Sequence, residues 1–358
     1  MRAVWRACRS ESHLQDGSDL RHDDPVTPTP GRWSDPEWLE PTLAWADSAL
    51  AGIGERRTVW TEPHTRAWST VLRLETTGGT FWLKANADVT RHDAGLLATM
   101  AGLDLPATPR PVAADAGLGL TLMPDGGPTV REAGGGRTPL PRLEEVLAAY
   151  AALQRATDAH VDTFLAVGLD DARPARMPEL LVALIEECER ADGEHRLTVE
   201  EAARLRSLLP AYAEACAELT ASGIAPTLQH DDLHDANVLA AGPVVIDWGD
   251  AVVGHPFGTM PVTLGSAAHH HELDRDDPAL YRLVDAYTEA WTDVADRATL
   301  RRLVRLAVRV GPLTRAMGWR RALLGCDDAS WAEWGDGVHG WLLELLSPDL
   351  PLHPALLA

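Results

Sequence analysis

The spacing of hydrophobic positions changes rhythm along the chain. From Pro36 to Leu50, Trp38, Leu39, Leu43 and Ala44 share one face at helical spacing, which predicts a helix. The period then shortens. Thr58-Val59-Trp60, Ser69 to Leu74 and Thr80 to Ala85 are short runs rich in β-formers, and Thr76-Thr77-Gly78-Gly79 between the last two reads as a hairpin turn. A short helix is predicted near His92 to Met100. Strands are predicted over Arg110 to Ala114 and Leu118 to Met123, with Asp115-Ala116-Gly117 turning between them. Pro124-Asp125-Gly126-Gly127 and Gly134-Gly135-Gly136 punctuate the chain, and helical spacing follows. Leu143, Val146, Leu147 and Tyr150 fall at i, i+3, i+4 and i+7, and Thr198 with Glu201 forms a capping-box pattern. This texture breaks once, between Gln229 and Asp247, where Val244-Val245-Ile246 reads as a strand.

The expected organisation is α+β and bilobal. Residues 1–30 read as a disordered tail, because spaced prolines and low hydrophobicity cannot support a packed core. Residues 31–125 form a small lobe with an antiparallel sheet, and residues 126–358 a larger, mainly helical lobe.

Composition narrows the function. At 358 residues, 45% hydrophobic and 24% charged, the chain has an ordinary globular composition. Asp+Glu 53 against Lys+Arg 32 gives a net charge of -21, which argues against nucleic-acid binding through a basic face. That charge suits a cationic small-molecule partner and equally serves solubility. No run approaches the roughly 18–20 apolar residues of a membrane span. The N-terminal segment from Met1 has no apolar core, so no secretory leader and a cytoplasmic location are expected. Cys8, Cys188, Cys216 and Cys326 are scattered without metal-ligand spacing and read as reduced thiols.

Lys84 is the only lysine, every other basic residue of this class being arginine, and Asn86 and Asn237 are the only asparagines. In so biased a composition, each marks a position where its own chemistry counts.

The break in the helical texture carries the strongest chemical signal. His230-Asp231-Asp232-Leu233 leads to Asn237, and an apolar run ends in Asp247-Trp248-Gly249-Asp250. Kinase catalytic loops have His-Arg-Asp-Leu-x-x-x-Asn followed by Asp-Phe-Gly. Phosphoryl transfer needs mostly positioning and charge neutralisation. Asp232 is the candidate base for an acceptor hydroxyl, with His230 bracing the loop. Asn237 and Asp247 offer hard oxygen ligands for Mg²⁺. Lys84, on the apolar strand Phe81-Trp82-Leu83-Lys84-Ala85, matches the strand lysine that holds nucleotide phosphates. A Gly-x-x-x-x-Gly-Lys-Ser/Thr loop is absent. The helical half carries Trp291, Trp319, Trp331, Trp334 and Trp341, mostly at core spacing; Trp331, Glu333 and Asp336 are the candidates for a cationic acceptor. His269-His270-His271 reads as a solvated run.

These residues resemble the aminoglycoside phosphotransferase and choline kinase family, small-molecule kinases with a protein-kinase-like fold. The resemblance spans roughly residues 35 to 345 and is strongest from His230 to Asp250. It implies ATP and Mg²⁺ as cofactors, Asp232 as base, Asn237 and Asp247 as metal ligands and Lys84 as the phosphate lysine. The strand ending at Met123, with Pro124-Asp125, resembles the hinge that holds adenine. His255-Pro256-Phe257 also looks like this family. The hairpin from Trp60 to Leu74 lacks the kinase glycine loop, and the turn Arg66-Ala67-Trp68-Ser69 resembles its substitute, with Ser69 as a phosphate donor. Asp93 stands where a glutamate usually pairs with the lysine, one methylene shorter. Asp231 replaces the arginine of protein kinases, and no Ala-Pro-Glu follows, which argues against a protein kinase. The expected activity is phosphorylation of an aminoglycoside, amino-sugar or amino alcohol. A neutral-sugar kinase and a regulatory pseudokinase are the alternatives.

Overall fold

The computed structural model describes residues 32–191 and 195–347; the tail over residues 1–30 and Cys8 lie outside them. The elements run α1 (Pro36–Gly52), β1 (Arg57–Thr65), β2 (Ser69–Thr76), β3 (Thr80–Asn86), α2 (His92–Gly102), β4 (Ala113–Asp115), β5 (Leu120–Pro124) and α3 (Val130–Ala133). Then come α4 (Leu140–Thr157), α5 (Val161–Ala166), β6 (Asp170–Ala172), α6 (Met177–Arg190), α7 (Val199–Thr220), β7 (Thr227–Gln229) and β8 (Val252–Gly254). The chain continues through α8 (Met260–His271), α9 (Pro278–Thr288), α10 (Arg297–Val310), α11 (Pro312–Leu323), α12 (Asp328–Trp334) and α13 (Asp336–Glu344).

The first five strands form an antiparallel sheet in the order β1-β2-β3-β5-β4. Alternation along β3 sets its two faces. Phe81, Leu83 and Ala85 are buried, and the first two pack with Leu72, Leu74 and Leu122 against Leu43, Ala46 and Leu50 of α1. Trp82 and Lys84 alternate with them and so occupy the other face. β1 is longer than the sequence pattern indicates. It passes Pro63 by a register shift between Thr61 and His64, where the missing N–H is tolerated.

The larger lobe is helical around one core, with a small β6-β8-β7 sheet. Of the predicted α4 face Val146, Leu147 and Tyr150 are buried and Leu143 half-buried, and Thr198 and Glu201 make the reciprocal cap of α7; on α1 the predicted Ala44 is exposed, and Leu43, Ala46 and Leu50 face inward instead. Other expectations need correction. The predicted strand from Arg110 shortens to β4, whose pairing with β5 begins only at Ala113. Val244 to Ile246 is not a strand. Only a Val238–Val245 bridge forms, flanked by Leu239 N–H to Val244 O and Ile246 N–H to Asn237 O. Pro243 removes a donor at its start, and Asp247 turns left-handed at its end (φ 60°).

No helix among the described residues is long and apolar enough to cross a membrane. Leu83 is fully buried where sheet meets α1. Leu83→Ala is expected to cost about 2–5 kcal/mol through the cavity it leaves, read as a lowered urea midpoint; an unchanged midpoint would place the packing of this lobe elsewhere.

Candidate active site

The cleft is organised by one ammonium. Lys84 Nζ lies 2.9 Å from Asp93 Oδ2 on α2 and 2.6 Å from Asp247 Oδ1. The shorter aspartate reaches because α2 starts only a few residues after β3; Asp93 is fully buried and also accepts from Asn86 Nδ2 at 3.2 Å. Burial alone would depress the Lys84 ammonium, but the two carboxylates outweigh it and hold it well above the ordinary lysine range. Lys84 likewise draws the Asp247 carboxyl down to about 2. More than half of the Asp247 side chain is open to the cleft, so solvent screening limits what this pair adds to stability.

The loop after β7 is braced from several sides. His230 is buried and edge-on to Trp248 (4.8 Å). Its Nδ1 accepts the Asp232 N–H at 3.2 Å, so the proton sits on Nε2, which donates to Ile246 O at 2.9 Å. Burial pushes its basicity down, in keeping with a neutral strut. Asp232 places Oδ1 3.3 Å from Arg315 and Oδ2 3.7 Å from His234. Burial raises its pKa, but Arg315 and the two histidines outweigh that and hold it below the usual carboxylate range. Asn237 Nδ2 donates to Asp232 O at 2.9 Å. Its donor end is committed to the loop, so its oxygen is the atom a hard cation would take. Asn237 and Asp247 are both oxygen donors, which fits Mg²⁺ held by few protein ligands together with phosphates. Among the described residues no three His, Cys, Asp or Glu side chains form a metal cluster; His271 instead contacts Thr138 O at 2.9 Å.

The remaining candidates fall in different places. Met123 pairs with Trp82 on β5, and Asp125 Oδ1 accepts from Trp82 Nε1 and Gly127 N–H, which fixes the inter-lobe turn. Ser69 is buried opposite Asn86, and its carbonyl closes the β1–β2 turn by accepting Arg66 N–H. Beside it, Trp68 packs edge-on against Trp319 and Trp334, both at 5.7 Å, and Arg66 lies over Trp334 at 4.8 Å. Trp331, Glu333 and Asp336 do not join the loop. Trp331 and Asp336 gather around His195 and Glu333 is exposed, because the helical turn of α12 gives the inward position to Trp334 instead.

Several residues escaped the sequence reading. Arg131 and Thr138 hold Asp235, Arg321 reaches Asp170 and Gly249 O, and Thr314 and Gln229 donate to Asp231. Arg315 bridges Asp232 and Asp250. On a helix such arginines read as a solvated face; no local pattern separates them.

This architecture has known counterparts. The chain matches the phosphotransferase enzyme family over residues 50–292, more than half its length, and belongs to that family. Among solved structures it is similar to an aminoglycoside 2′-phosphotransferase in complex with GDP (14% identity, 85% of this chain and 99% of that one, TM-score 0.56). It is likewise similar to a macrolide 2′-phosphotransferase from Brachybacterium faecium (16%, 83% and 98%, TM-score 0.54) and to a Plasmodium vivax ethanolamine kinase (10%, 81% and 82%, TM-score 0.55). At these identities the likeness is one of fold. Curated protein sequences give no significant match. The protein is a phosphotransferase enzyme with a bilobal, protein-kinase-like α+β fold.

Asp231 supplies a pH test. Burial pushes its carboxyl up to about 7 from 3.8, against the pull of Arg315 and the Thr314 hydrogen bond. Between those values the native state binds a proton that the unfolded chain has lost, so stability falls as pH rises. The stability of Asp231→Asn relative to the wild type is expected to grow from about pH 4 to about pH 7 and then level, in urea unfolding. A gap that does not change with pH would mean Asp231 is ionised throughout.

Proposed function

We propose that the protein transfers the γ-phosphoryl group of ATP to a hydroxyl of a small molecule, with Mg²⁺. The observation that carries this is the Lys84–Asp93–Asp247 contact standing beside a loop whose Asn237 is bonded to Asp232. In this reading Asp232 orients the acceptor O–H and takes its proton as the oxygen forms the new P–O bond. The β–γ bridging P–O bond breaks, and ADP leaves. Lys84 holds phosphate oxygens with a compact charge. Asp247 and Asn237 would hold Mg²⁺, which supplies neutralisation of charge on the phosphates when bound. The backbone from Met123 to Asp125 takes the adenine, and His230 keeps the loop in register.

An amino-bearing acceptor is favoured: an aminoglycoside, amino-sugar or amino alcohol. Arg66 already lies over the face of Trp334, which supports this cleft edge as one that takes cations. The net charge of -21 acts in the same direction. Relatives of this fold carry names of aminoglycoside, macrolide and ethanolamine enzymes. We propose that the enzyme acts in the cytoplasm.

The test is coupled ADP release with Mg²⁺-ATP, and with Mg²⁺-GTP beside it, across kanamycin, glucosamine, maltose, choline, ethanolamine and homoserine. Turnover on an amino-bearing acceptor is the expected result. Turnover confined to maltose would name a neutral-sugar kinase, and ATP binding without ADP release a pseudokinase.

Asp232→Ala is expected to lower turnover by roughly 10²–10⁴-fold with ATP affinity unchanged by calorimetry. Equal loss of both would place the base elsewhere. Asp247→Ala should weaken Mg²⁺-dependent ATP binding itself. Lys84→Arg should be strongly impaired although its charge is kept, because a planar fork does not replace a point charge between Asp93 and Asp247; full activity would show that the ammonium is dispensable.

A further inference from the structure

The reading above leaves Arg315 without a task, yet it is deeply buried beside Asp232, 1% exposed on α11. Two of its nitrogens go to two different segments. One lies 2.6 Å from Asp250 Oδ2, in the turn that follows Asp247, and the other lies 3.3 Å from Asp232 Oδ1. The guanidinium packs near the face of Trp341 at 5.8 Å. Its neighbour Thr314 donates to Asp231 Oδ1 at 2.7 Å, so successive residues of α11 grip the loop on both sides of its turn. One turn further along, Gly318 passes close to Asp250: a Cβ there would sit 3.4 Å from Oδ1. A planar guanidinium keeps a fixed spacing between its nitrogens, which a flexible ammonium does not.

We propose that Arg315 is a positioning residue that sets the distance between the Asp232 carboxylate and the Asp247–Asp250 turn, so that base and phosphate-side ligand are aligned by one rigid fork. The inference rests on Asp232 being the base. Arg315 contacts Asp232 and Asp250, while Asp247 is held directly by Lys84, so losing Arg315 displaces the base and is read in transfer before nucleotide binding. Asp250, its other anchor, shares that task.

The experiment compares full-length wild type with Arg315→Met, Arg315→Lys and Asp250→Asn. ADP release is measured with the panel acceptor that wild type turns over fastest, or with water if none does, and ATP affinity by calorimetry with Mg²⁺-ATP. Arg315→Met is expected to lose about 100-fold in kcat, the cost of a misplaced reacting group, while KM for ATP and its affinity stay within about twofold. Arg315→Lys, able to reach one carboxylate at a time, is expected to recover about tenfold of that loss. Asp250→Asn should lower kcat about tenfold, and the double variant with Arg315→Met should be no slower than Arg315→Met alone, since both break one link.

A kcat for Arg315→Met within about threefold of wild type would overturn the proposal, as would a parallel loss of ATP affinity, which marks a merely structural pillar. Should Arg315→Met not fold, Arg315→Lys and Asp250→Asn decide by the same split of kcat from KM. A wild type that binds Mg²⁺-ATP but releases no ADP, even to water, overturns the kinase reading and this inference together. An active wild type with active Arg315 variants overturns the inference alone.

Discussion

An ammonium between two carboxylates holds the cleft together. Lys84 comes from the sheet, Asp93 from α2, and Asp247 from the turn beyond the His230–Asn237 loop. A single charge therefore ties strand, helix and opposite lobe to one point. Its strength lies in geometry more than in energy. Asp93 is enclosed and Asp247 is open to the cleft, so the first contact anchors the lysine and the second is the solvent-screened one. The left-handed backbone at Asp247 turns its carboxylate toward the small lobe at the place where a regular strand would have continued.

A second frame surrounds the first. α11 reaches the loop after β7 through Thr314 and Arg315, the following turn through Arg315 to Asp250 and Arg321 to Gly249 O, and the small lobe through Trp319. His92 of α2 meets the same Gly249 carbonyl from the other side at 3.0 Å. The chemistry sits on loops, but those loops are clamped between helices of both lobes. Pre-aligned groups of this kind spare the reorganisation that would otherwise slow transfer.

Sequence legibility followed the range of the interactions. Asp232, Asn237 and Asp247 stand in one short run, and Lys84 is marked as the only lysine of the chain, on an apolar strand. The capping box at Thr198 and the buried face of α4 were readable for the same reason: each is made by neighbours in the chain. The run Val244 to Ile246 misled because three apolar residues cannot reveal whether a partner strand exists. Trp331, Glu333 and Asp336 lie apart from the loop because one turn of α12 makes Trp334 the inward tryptophan. Arg315, Arg131 and Arg321 were illegible since their partners lie far off in sequence, and an arginine-rich composition hides a buried arginine among exposed ones.

Trp68, Trp319 and Trp334 bring three indoles from both lobes within 5.7 to 6.0 Å of one another, two contacts edge-on and one stacked. Rings so close share their excited states. Because Trp68 belongs to the β1–β2 turn and the other two to the helical lobe, lifting that turn away removes Trp68 and leaves Trp319 stacked on Trp334. The folded chain thus contains a built-in optical gauge of its own cleft, readable without any attached dye.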